Sequence, residues 1–391
     1  MRKFYKIIAK LLSIIAVLAI VYSVLVYSHI PFIEKWRTIY IETAMSTMTH
    51  QWLATRFIPN SVIQEVMAAK EEAIEAQKDL NSDWDGNHPE KTTLSDDLPG
   101  KEKFYYIFDE IDEESFEYYI SCHPDVIDNG YENILIDESG LDAEGTSLRT
   151  KQGDQILTID AANGILILKV TGEGYVGKLA IVKDPSQVSI GVSSRLGSTG
   201  ESVADIAKNN DAVLAVNASG FDDPDGEGNG GVVDGLLISN HDVLNQTLNT
   251  SYLVIGLSDN DKLFIGSDLD MSLMRDAVQF SPAEIINGEN VTDGSNGFGI
   301  QPRTSIGQAS DGDILLLTVD GRQIGYSVGC TVGDCADILL RYDAVQAANL
   351  DGGSSTIMVY RGQEITKPAN GYAFGRYVPD AFIVKHNNIM G

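Results

Sequence analysis

The residues best suited to chemistry lie in one short stretch, 347–356. A short apolar run, interpreted as a buried strand, leads into a turn rich in polar and glycine residues: Asn349, Asp351, Gly352, Gly353, Ser354 and Ser355. Glycines let a ligand approach the main chain, and a carboxylate with hydroxyls at a strand end is well placed to act on it. An ordinary tight turn is the alternative interpretation.

A second stretch matches the first at an offset of 132 residues. Residues 197–220 and 329–352 are identical at eleven of twenty-four positions, including Asn217 with Asn349 and Gly220 with Gly352. Each copy is interpreted as a threonine N-cap (Thr199 or Thr331), a helix, a strand and an Asn-led turn. The repeat predicts a pseudo-two-fold domain in which the two turns face one cleft.

Other catalytic motifs are absent from the sequence. There is no His-Glu-x-x-His zinc motif, no Gly-x-Ser-x-Gly elbow and no phosphate-binding Gly-x-x-x-x-Gly-Lys loop. Carboxylate, arginine and hydroxyl chemistry remains. Three arginines stand at Gly- or Pro-marked turns, where they are suited to bidentate recognition of a phosphate or carboxylate: Arg303, Arg322 and Arg376.

One acidic loop resembles a calcium-binding loop. Carboxylates fall at its positions 1, 3, 5 and 12, with a glycine at position 6: Asp223, Asp225, Glu227 and Asp234, with Gly228. The flanks are strand-like and position 12 is Asp where such loops carry Glu. A glycine-rich acidic turn is therefore the favoured interpretation, and calcium the alternative. No other cofactor is expected.

The N-terminus predicts a membrane anchor. Arg2, Lys3, Lys6 and Lys10 precede the almost unbroken apolar run Leu11–Tyr27. The run approaches the length of a bilayer span, and the cations ahead of it predict a cytoplasmic N-terminus with the remainder outside the cell. That remainder has a net charge of −32, from 24 basic and 56 acidic residues, which argues against nucleic-acid binding.

Five segments follow from the pattern. Residues 1–33 are the cytoplasmic stub and span, 34–80 a helical juxtamembrane segment, 81–103 a linker, 104–154 an acidic region and 155–387 one α+β domain with mixed sheets. Within 34–80, Glu34–Phe57 is predicted to be a helix whose apolar face includes Trp36, Met48 and Trp52, and Ser61 to open a capping box. The segment is interpreted mainly as structural, with a partner surface as the alternative.

Several motifs, taken in order, resemble the phosphodiester glycosidase family. They are Asn217-Ala-Ser-Gly-Phe with Asn229-Gly-Gly, Gln301-Pro-Arg-Thr-Ser-Ile-Gly, Val319-Asp-Gly-Arg, Asn349-Leu-Asp-Gly-Gly-Ser-Ser-Thr and Arg376-Tyr-Val-Pro-Asp-Ala-Phe. The resemblance covers roughly residues 155–387. The chain departs from the family pattern in having two glycines before the Ser pair, and Phe221-Asp222 where many members have two aromatic residues.

The resemblance implies hydrolysis of a sugar-1-phosphodiester in a cell-surface or exopolysaccharide glycan. It implies Asp351 as nucleophile or base, with Asp320 as its rival. Residues implied to bind substrate are Asn217, Gly220, Arg303, Arg322, Asn349, Gly352, Gly353, Ser354, Ser355 and Arg376. Two alternatives use the same cleft: a non-catalytic protein that binds glycan or assists polysaccharide assembly, and transfer of the glycosyl unit to another acceptor.

Overall fold

The computed structural model describes residues 2–84, 99–141, 145–292, 294–295, 298–369, 371, 374–387 and 389, without the side chain of Asp225. Its α-helices are α1 (Arg2–Tyr27), α2 (Pro31–Met45), α3 (Trp52–Thr55), α4 (Asn60–Gln77), α5 (Gly100–Ile107), α6 (Glu113–Cys122), α7 (Val203–Asn209) and α8 (Val332–Leu340). Within the described part of the chain, α1 is the one helix long and apolar enough to cross a membrane.

Three antiparallel sheets make up the domain. The strands are β1 (Leu135–Asp137), β2 (Gln155–Asp160), β3 (Ile165–Gly172), β4 (Tyr175–Val182), β5 (Val188–Val192), β6 (Ala212–Asn217), β7 (Leu237–Ser239), β8 (Asp242–Asn245), β9 (Leu253–Ser258), β10 (Leu263–Gly266), β11 (Met274–Phe280), β12 (Ala283–Ile286), β13 (Glu289–Asn290), β14 (Arg303–Ala309), β15 (Ile314–Val319), β16 (Ala344–Asn349), β17 (Met358–Tyr360), β18 (Gln363–Glu364) and β19 (Asp380–Lys385). The nine-stranded sheet runs β1-β2-β3-β4-β15-β14-β16-β12-β13, and the two five-stranded sheets run β10-β9-β11-β7-β8 and β18-β17-β6-β19-β5. The predicted α+β class is confirmed, although the described strand pairs are all antiparallel rather than mixed.

The nine-stranded sheet is buried on both faces. Side chains alternate across a strand, so Leu166 and Leu168 of β3 pack into one apolar cluster with the helices α5, α6 and α8. Ile165 and Ile167 pack into the other, against the five-stranded sheets. A strand covered on both sides reads as a continuous apolar run, which is why this part of the sequence is so hydrophobic.

The repeat is present in three dimensions. α7 leads into β6 in one sheet and α8 leads into β16 in another. The predicted cap is right for α8, where Thr331 and Asp334 form a capping box. It is wrong for α7, whose N-cap is Ser202, because the Ser202 hydroxyl receives the Asp205 N–H and the helix starts later than in the other copy.

The N-terminal helices differ from the prediction. Glu34–Phe57 is not one helix: α2 ends at Met45 and α3 begins at Trp52. α4 is confirmed as a helix but begins after Pro59 with no side-chain cap, so the predicted Ser61 capping box is wrong. Residues of α2, α3, α4 and the end of α1 share one small apolar core, which includes Val26, Ile41 and Ile63.

The predicted linker and acidic region are joined to the domain. Asn81 bridges to Gly266, and the Ser82 N–H donates to the carbonyl of Ile265 at 2.8 Å. Residues 85–98 lie outside the described residues. Phe104, Phe108 and Phe116 are buried under the nine-stranded sheet, whose edge strand β1 also comes from the acidic region. Residues 104–154 therefore contribute apolar side chains to the core of the domain, and their acidic character is a property of the surface above that core.

Candidate active site

The two Asn-led turns meet, as the repeat predicts. The Asn217 amide donates to the main-chain carbonyl of Asp351 at 2.7 Å, and the Asp351 N–H donates to the carbonyl of Ala218 at 3.0 Å. Asn217 also accepts from the Thr304 hydroxyl at 2.8 Å and from the Ile357 N–H at 3.1 Å. Asn217 is fully buried, so its side chain holds the Asp351 main chain in place rather than facing substrate.

Asp351 lies at the centre of the site. Burial raises the pKa of its carboxyl to about 7, although the Ser355 hydroxyl, the Gly352 N–H and the positive charge of Arg376 favour the ionised form. The negative charge of Asp223 raises the pKa further. A half-buried carboxyl that titrates near neutrality is suited to proton transfer or nucleophilic attack at physiological pH.

Arg322 lies on one side of Asp351. Its Nε and Nη2 both donate to Gln301 Oε1, at 3.2 and 2.7 Å. Burial and the neighbouring Arg303 lower the pKa of Arg322, and the Asp351 charge opposes that shift. Gly353 has φ +63°, and a Cβ at that position would lie 3.1 Å from Arg322 Nη2, so glycine allows the guanidinium to lie against this turn.

Arg376 lies near the other turn, in a pair with Asp223. Its Nη1 donates to Asp223 Oδ2 at 2.5 Å and its Nη2 to Asp223 Oδ1 at 2.8 Å, and the guanidinium covers the Phe221 ring at 4.7 Å. The bidentate pair lowers the pKa of Asp223. Asp223 is thus engaged by an arginine, and Phe221 is covered by a cation.

The remaining carboxylates of the calcium-like loop are dispersed. Glu227 is exposed, and Asp234 Oδ1 accepts from the Asn249 amide at 3.0 Å. The Asp225 side chain lies outside the described residues. Among the described residues, no group of three His, Cys, Asp or Glu side chains is spaced to hold a metal ion. The calcium interpretation stays a prediction.

Two aromatic residues form an apolar wall beside the first turn. The rings of Tyr252 and Phe280 lie 5.1 Å apart between centroids. A Cβ on Gly220 would approach Phe280 to 3.0 Å, so Gly220 is needed for this close packing. Burial, with the charges of Asp234 and Asp351, raises the pKa of Tyr252. An aromatic ring near the Asp351 carboxyl is an arrangement suited to a sugar.

Arg303 lies beneath the site instead of lining it. It is 4% exposed, and it donates to the backbone carbonyls of Cys330, Phe298 and Gly299 at 3.3, 3.1 and 2.7 Å. These bonds hold the loop that carries Gln301, the partner of Arg322. The expectation that Arg303 holds a phosphate therefore has less support than a positioning role.

Asp320 belongs to a separate buried network. It is 2% exposed, its Oδ2 accepts from the Tyr326 hydroxyl at 2.8 Å, and its Oδ1 accepts from the Lys367 N–H at 2.9 Å. Burial raises the pKa of Asp320, and Lys178, whose Nζ lies 3.8 Å from Oδ2, opposes the shift. With both oxygens engaged, Asp320 is less suited than Asp351 to act on a substrate.

The other predicted residues lie around Asp351. Asn349 is buried and its amide donates to the Ser281 carbonyl at 3.0 Å. Gly352 packs closely on the Pro302 carbonyl, where a Cβ would lie at 2.7 Å. Ser354 is half-buried in the short 3₁₀ turn Gly353–Ser355. These residues shape the turn, and Ser355 contacts the carboxyl directly.

A family model for phosphodiester glycosidases matches residues 210–385. Residues 210–385 thus carry the sequence pattern of the phosphodiester glycosidase family. The match includes both Asn-led turns and all three arginines, and it begins later than the 155–387 range of the predicted domain. The match confirms the family resemblance that the motifs predict. Phosphodiester glycosidases are a family of hydrolases that act on glycans.

Several proteins are similar to this chain. The SPbeta prophage-derived uncharacterized protein YomE of Bacillus subtilis is 28% identical over 202 residues, 48% of this chain and 30% of that protein. The N-acetylglucosamine-1-phosphodiester alpha-N-acetylglucosaminidase of Bos taurus is 37% identical over 71 residues, 18% of this chain and 13% of that protein. The chain thus spans less than a third of either relative.

Solved structures show weaker similarity. The catalytic domain of zebrafish N-acetylglucosamine-1-phosphodiester alpha-N-acetylglucosaminidase, auto-inhibited by its pro-peptide, has a TM-score of 0.45 and 20% identity, covering 56% of this chain and 82% of that one. A hypothetical protein from Synechocystis has a TM-score of 0.44 and 16% identity, covering 59% of this chain and 63% of that one.

Sequence reasoning missed four residues of the site. Gln301 and Asp380 stand inside quoted motifs, but only the structure reveals their partners: Gln301 receives Arg322, and Asp380 Oδ1 accepts the Ser219 N–H at 2.8 Å. Tyr252 and Phe280 carry no local signal in the sequence. Tyr252 lies in the turn before β9 and Phe280 at the end of β11, so separate segments bring the two rings together. The fold alone brings them to Gly220.

Proposed function

We propose that this phosphodiester glycosidase domain hydrolyses a sugar-1-phosphodiester in a phosphoglycan, using Asp351. The observation that carries the proposal is one carboxyl with a pKa of about 7 flanked by two guanidiniums, Arg322 and Arg376. The arrangement suits an anionic leaving group beside a group that takes up a proton. A surface with net charge −28 supports a glycan substrate over nucleic acid.

The step proceeds with Asp351 as base. Its ionised carboxylate takes a proton from water as the water oxygen bonds to the anomeric carbon and the bond from that carbon to the phosphate oxygen breaks. The phosphomonoester leaves with the bonding electrons and is held by Arg322 and Arg376. Because phosphate is a weak base, this leaving group needs no strong general acid. The proposed step requires no cofactor.

Asp351 as nucleophile is the competing assignment. It requires a covalent glycosyl-enzyme that water then opens, with retention of anomeric configuration, whereas direct attack by water inverts it. Proton NMR of the sugar released in the first minutes distinguishes the two. Retention of the anomeric configuration would show that Asp351 acts as the nucleophile instead of the base.

Localisation follows from α1. The helix Arg2–Tyr27 fits either a membrane anchor or a signal sequence by length and composition. The long apolar run after four cations favours an uncleaved anchor, with the hydrolase domain outside the cell and its substrate in cell-wall or exopolysaccharide glycans.

The test uses the full chain in detergent with a panel of sugar-1-phosphodiesters, beginning with N-acetylglucosamine-1-phosphodiester. Free sugar is measured. Asp351→Asn should lower kcat by about 10³-fold or more, because it removes the proton acceptor while keeping the shape. Asp320→Asn is the matched control and should keep turnover within about tenfold per folded molecule, since it does not touch substrate.

Each other outcome identifies a different function. If Asp320→Asn loses turnover and Asp351→Asn keeps it, the assignments are reversed. Glycan binding without any product across the panel would favour a non-catalytic binding protein. Product that carries the sugar on an added acceptor would favour transfer. Loss of activity on adding a chelator, with recovery on adding calcium, would support the calcium-like loop.

A further inference from the structure

An aromatic surface is exposed on the N-terminal helices. Phe32, Trp36 and Tyr40 of α2 recur every four residues and so lie along one helical face. The other members lie on α3 and the loops beside it. Their exposed fractions are Phe32 71%, Trp36 46%, Tyr40 44%, Met48 63%, Trp52 49% and Phe57 56%. Patches of this kind mark a protein or membrane contact.

The opposite side of these helices is fixed to the domain. Ile41 and Ala44 are buried in the small core shared with α4. The Thr43 hydroxyl accepts the Ile300 N–H at 2.9 Å, and the Thr43 carbonyl accepts from the Gln301 amide at 3.0 Å. The aromatic surface therefore has a fixed orientation and cannot turn inward without breaking these bonds.

The surface is continuous with the apolar helix α1. The Tyr22 hydroxyl donates to the Phe57 carbonyl at 2.9 Å, and Val26 is buried in the core of the neighbouring helices. Tyr22 precedes the end of α1 by five residues, about 7.5 Å at the helical rise. If α1 spans the bilayer, Phe57 lies below the end of the span, at the roughly 5–10 Å depth of interfacial helices.

Charge complements this position. Lys35 and Arg56 are exposed among the aromatic residues, although the chain as a whole is strongly acidic. Cations at this level attract anionic lipid headgroups, and Trp and Tyr side chains are enriched where one end of the ring is wet and the other apolar. Both features favour a lipid surface over a second acidic protein.

We infer that the aromatic surface lies in the outer interfacial layer of the bilayer, with its rings at the boundary between headgroups and acyl chains. The inference rests on the proposed anchoring by α1. Docking holds the active site at the membrane surface, because Thr43 binds the Gln301 loop and Met48 lies against Gly226, in the loop that carries Asp223. Substrate would then be phosphoglycan at the membrane surface.

The three tryptophans of the chain provide the test. Trp36 and Trp52 belong to the aromatic surface, whereas Trp84 donates to the Leu263 carbonyl at 2.8 Å and lies beneath Lys262. Full-length proteins that keep one tryptophan each, the others changed to Phe, are placed in vesicles of lipids brominated on the acyl chains. Trp36 and Trp52 should lose about half of their emission or more, and Trp84 almost none, because bromine on the acyl chains quenches only rings that lie in the bilayer or at its edge.

A fourth variant separates this inference from its premise. Leu18→Trp, in a protein whose three native tryptophans are Phe, reports on α1 itself. Quenching of Leu18→Trp with Trp36 and Trp52 behaving like Trp84 would overturn docking and leave the anchor in place. No quenching of Leu18→Trp would overturn both. Trp36 and Trp52 shielded from aqueous acrylamide yet not quenched by bromine would mean that a protein covers the surface, which also overturns docking.

Discussion

The two Asn-led turns have the same sequence pattern and different tasks. Ser219 and Asp351 occupy equivalent positions of the repeat, and their two asparagines end equivalent strands. Asn217 makes three hydrogen bonds, one of them to the main chain of Asp351. The Asn349 side chain makes one, to the Ser281 carbonyl, and its Oδ1 has no partner in the described part of the chain.

The difference separates support from chemistry. The first turn holds the second through the Asn217 amide and the Ala218 carbonyl. Asp380 in turn accepts a hydrogen bond from the Ser219 N–H. The second turn is held by its neighbour, so its carboxyl keeps an unfavourable burial that raises its pKa. A repeat allows this division, because one copy can stabilise while the other carries the candidate catalytic carboxyl.

After the loss of the Asp351 carboxyl itself, the next largest effect is expected at the arginine on the side of the second turn. Arg322→Met should lower kcat/KM by about 100-fold, because it removes a guanidinium whose two donors share a single acceptor and which therefore retains capacity for phosphate. Arg376→Met should cost about tenfold, since this arginine is already paired with Asp223. Steady-state kinetics measure both, with Arg341→Met as the control for charge loss. Equal losses of kcat/KM in the two variants would contradict the expected difference between an arginine that retains donors for phosphate and one that is paired with Asp223.

Substitution of the two asparagines should lower the stability of the protein by different amounts. Asn217→Ala leaves the Thr304 hydroxyl and the Ile357 N–H unpaired and should cost about 3 kcal/mol. The Tm should then fall by roughly 6 °C or more. Asn349→Ala is the matched control and should lower the Tm by about 2 °C, because it loses one bond. Thermal unfolding by circular dichroism measures both, and equal losses would contradict the supporting role of the first turn.

The smallest effect concerns pH. The pKa of Asp351 is about 7 in the folded protein against 3.8 when unperturbed, so between these values the folded state holds a proton that the unfolded state has released. Stability therefore falls as pH rises through this window. Asp351→Asn does not titrate, and its Tm advantage over the parent should be about 5 °C larger at pH 8 than at pH 5, because about two pH units of this window, each worth about 1.4 kcal/mol, lie above pH 5. A constant advantage would show that Asp351 does not titrate near neutrality.

Much of this arrangement follows from local sequence signals. Identical residues at one offset predict two helix-strand-turn units, because the 3.6 and 2.0 periods are local properties. The repeat also predicts that the two turns meet, and the structure confirms this contact. The motif order also predicts the family, which the match to residues 210–385 confirms.

Other features depend on contacts between distant segments. Arg303 stands in a motif, yet its guanidinium binds backbone carbonyls inside the protein. The pattern places Trp36 and Trp52 on an apolar face and favours a structural role, but both side chains are exposed, since an exposed apolar face has the same periodicity as a core-facing one. No sequence rule indicates that Tyr252 and Phe280 meet beside Gly220.

The bonds between the N-terminal helices and the domain set where the chain can be shortened without disturbing the candidate site. Gln77 is buried and binds both the N–H and the carbonyl of Ala283, and Thr43 holds the Gln301 loop. A protein that begins at Pro99 would lose these partners and uncover the edge that Ser82 closes. A protein that begins at Pro31 keeps these bonds and omits α1, so the candidate site stays supported as in the full chain, while the aromatic surface of α2 and α3 remains exposed.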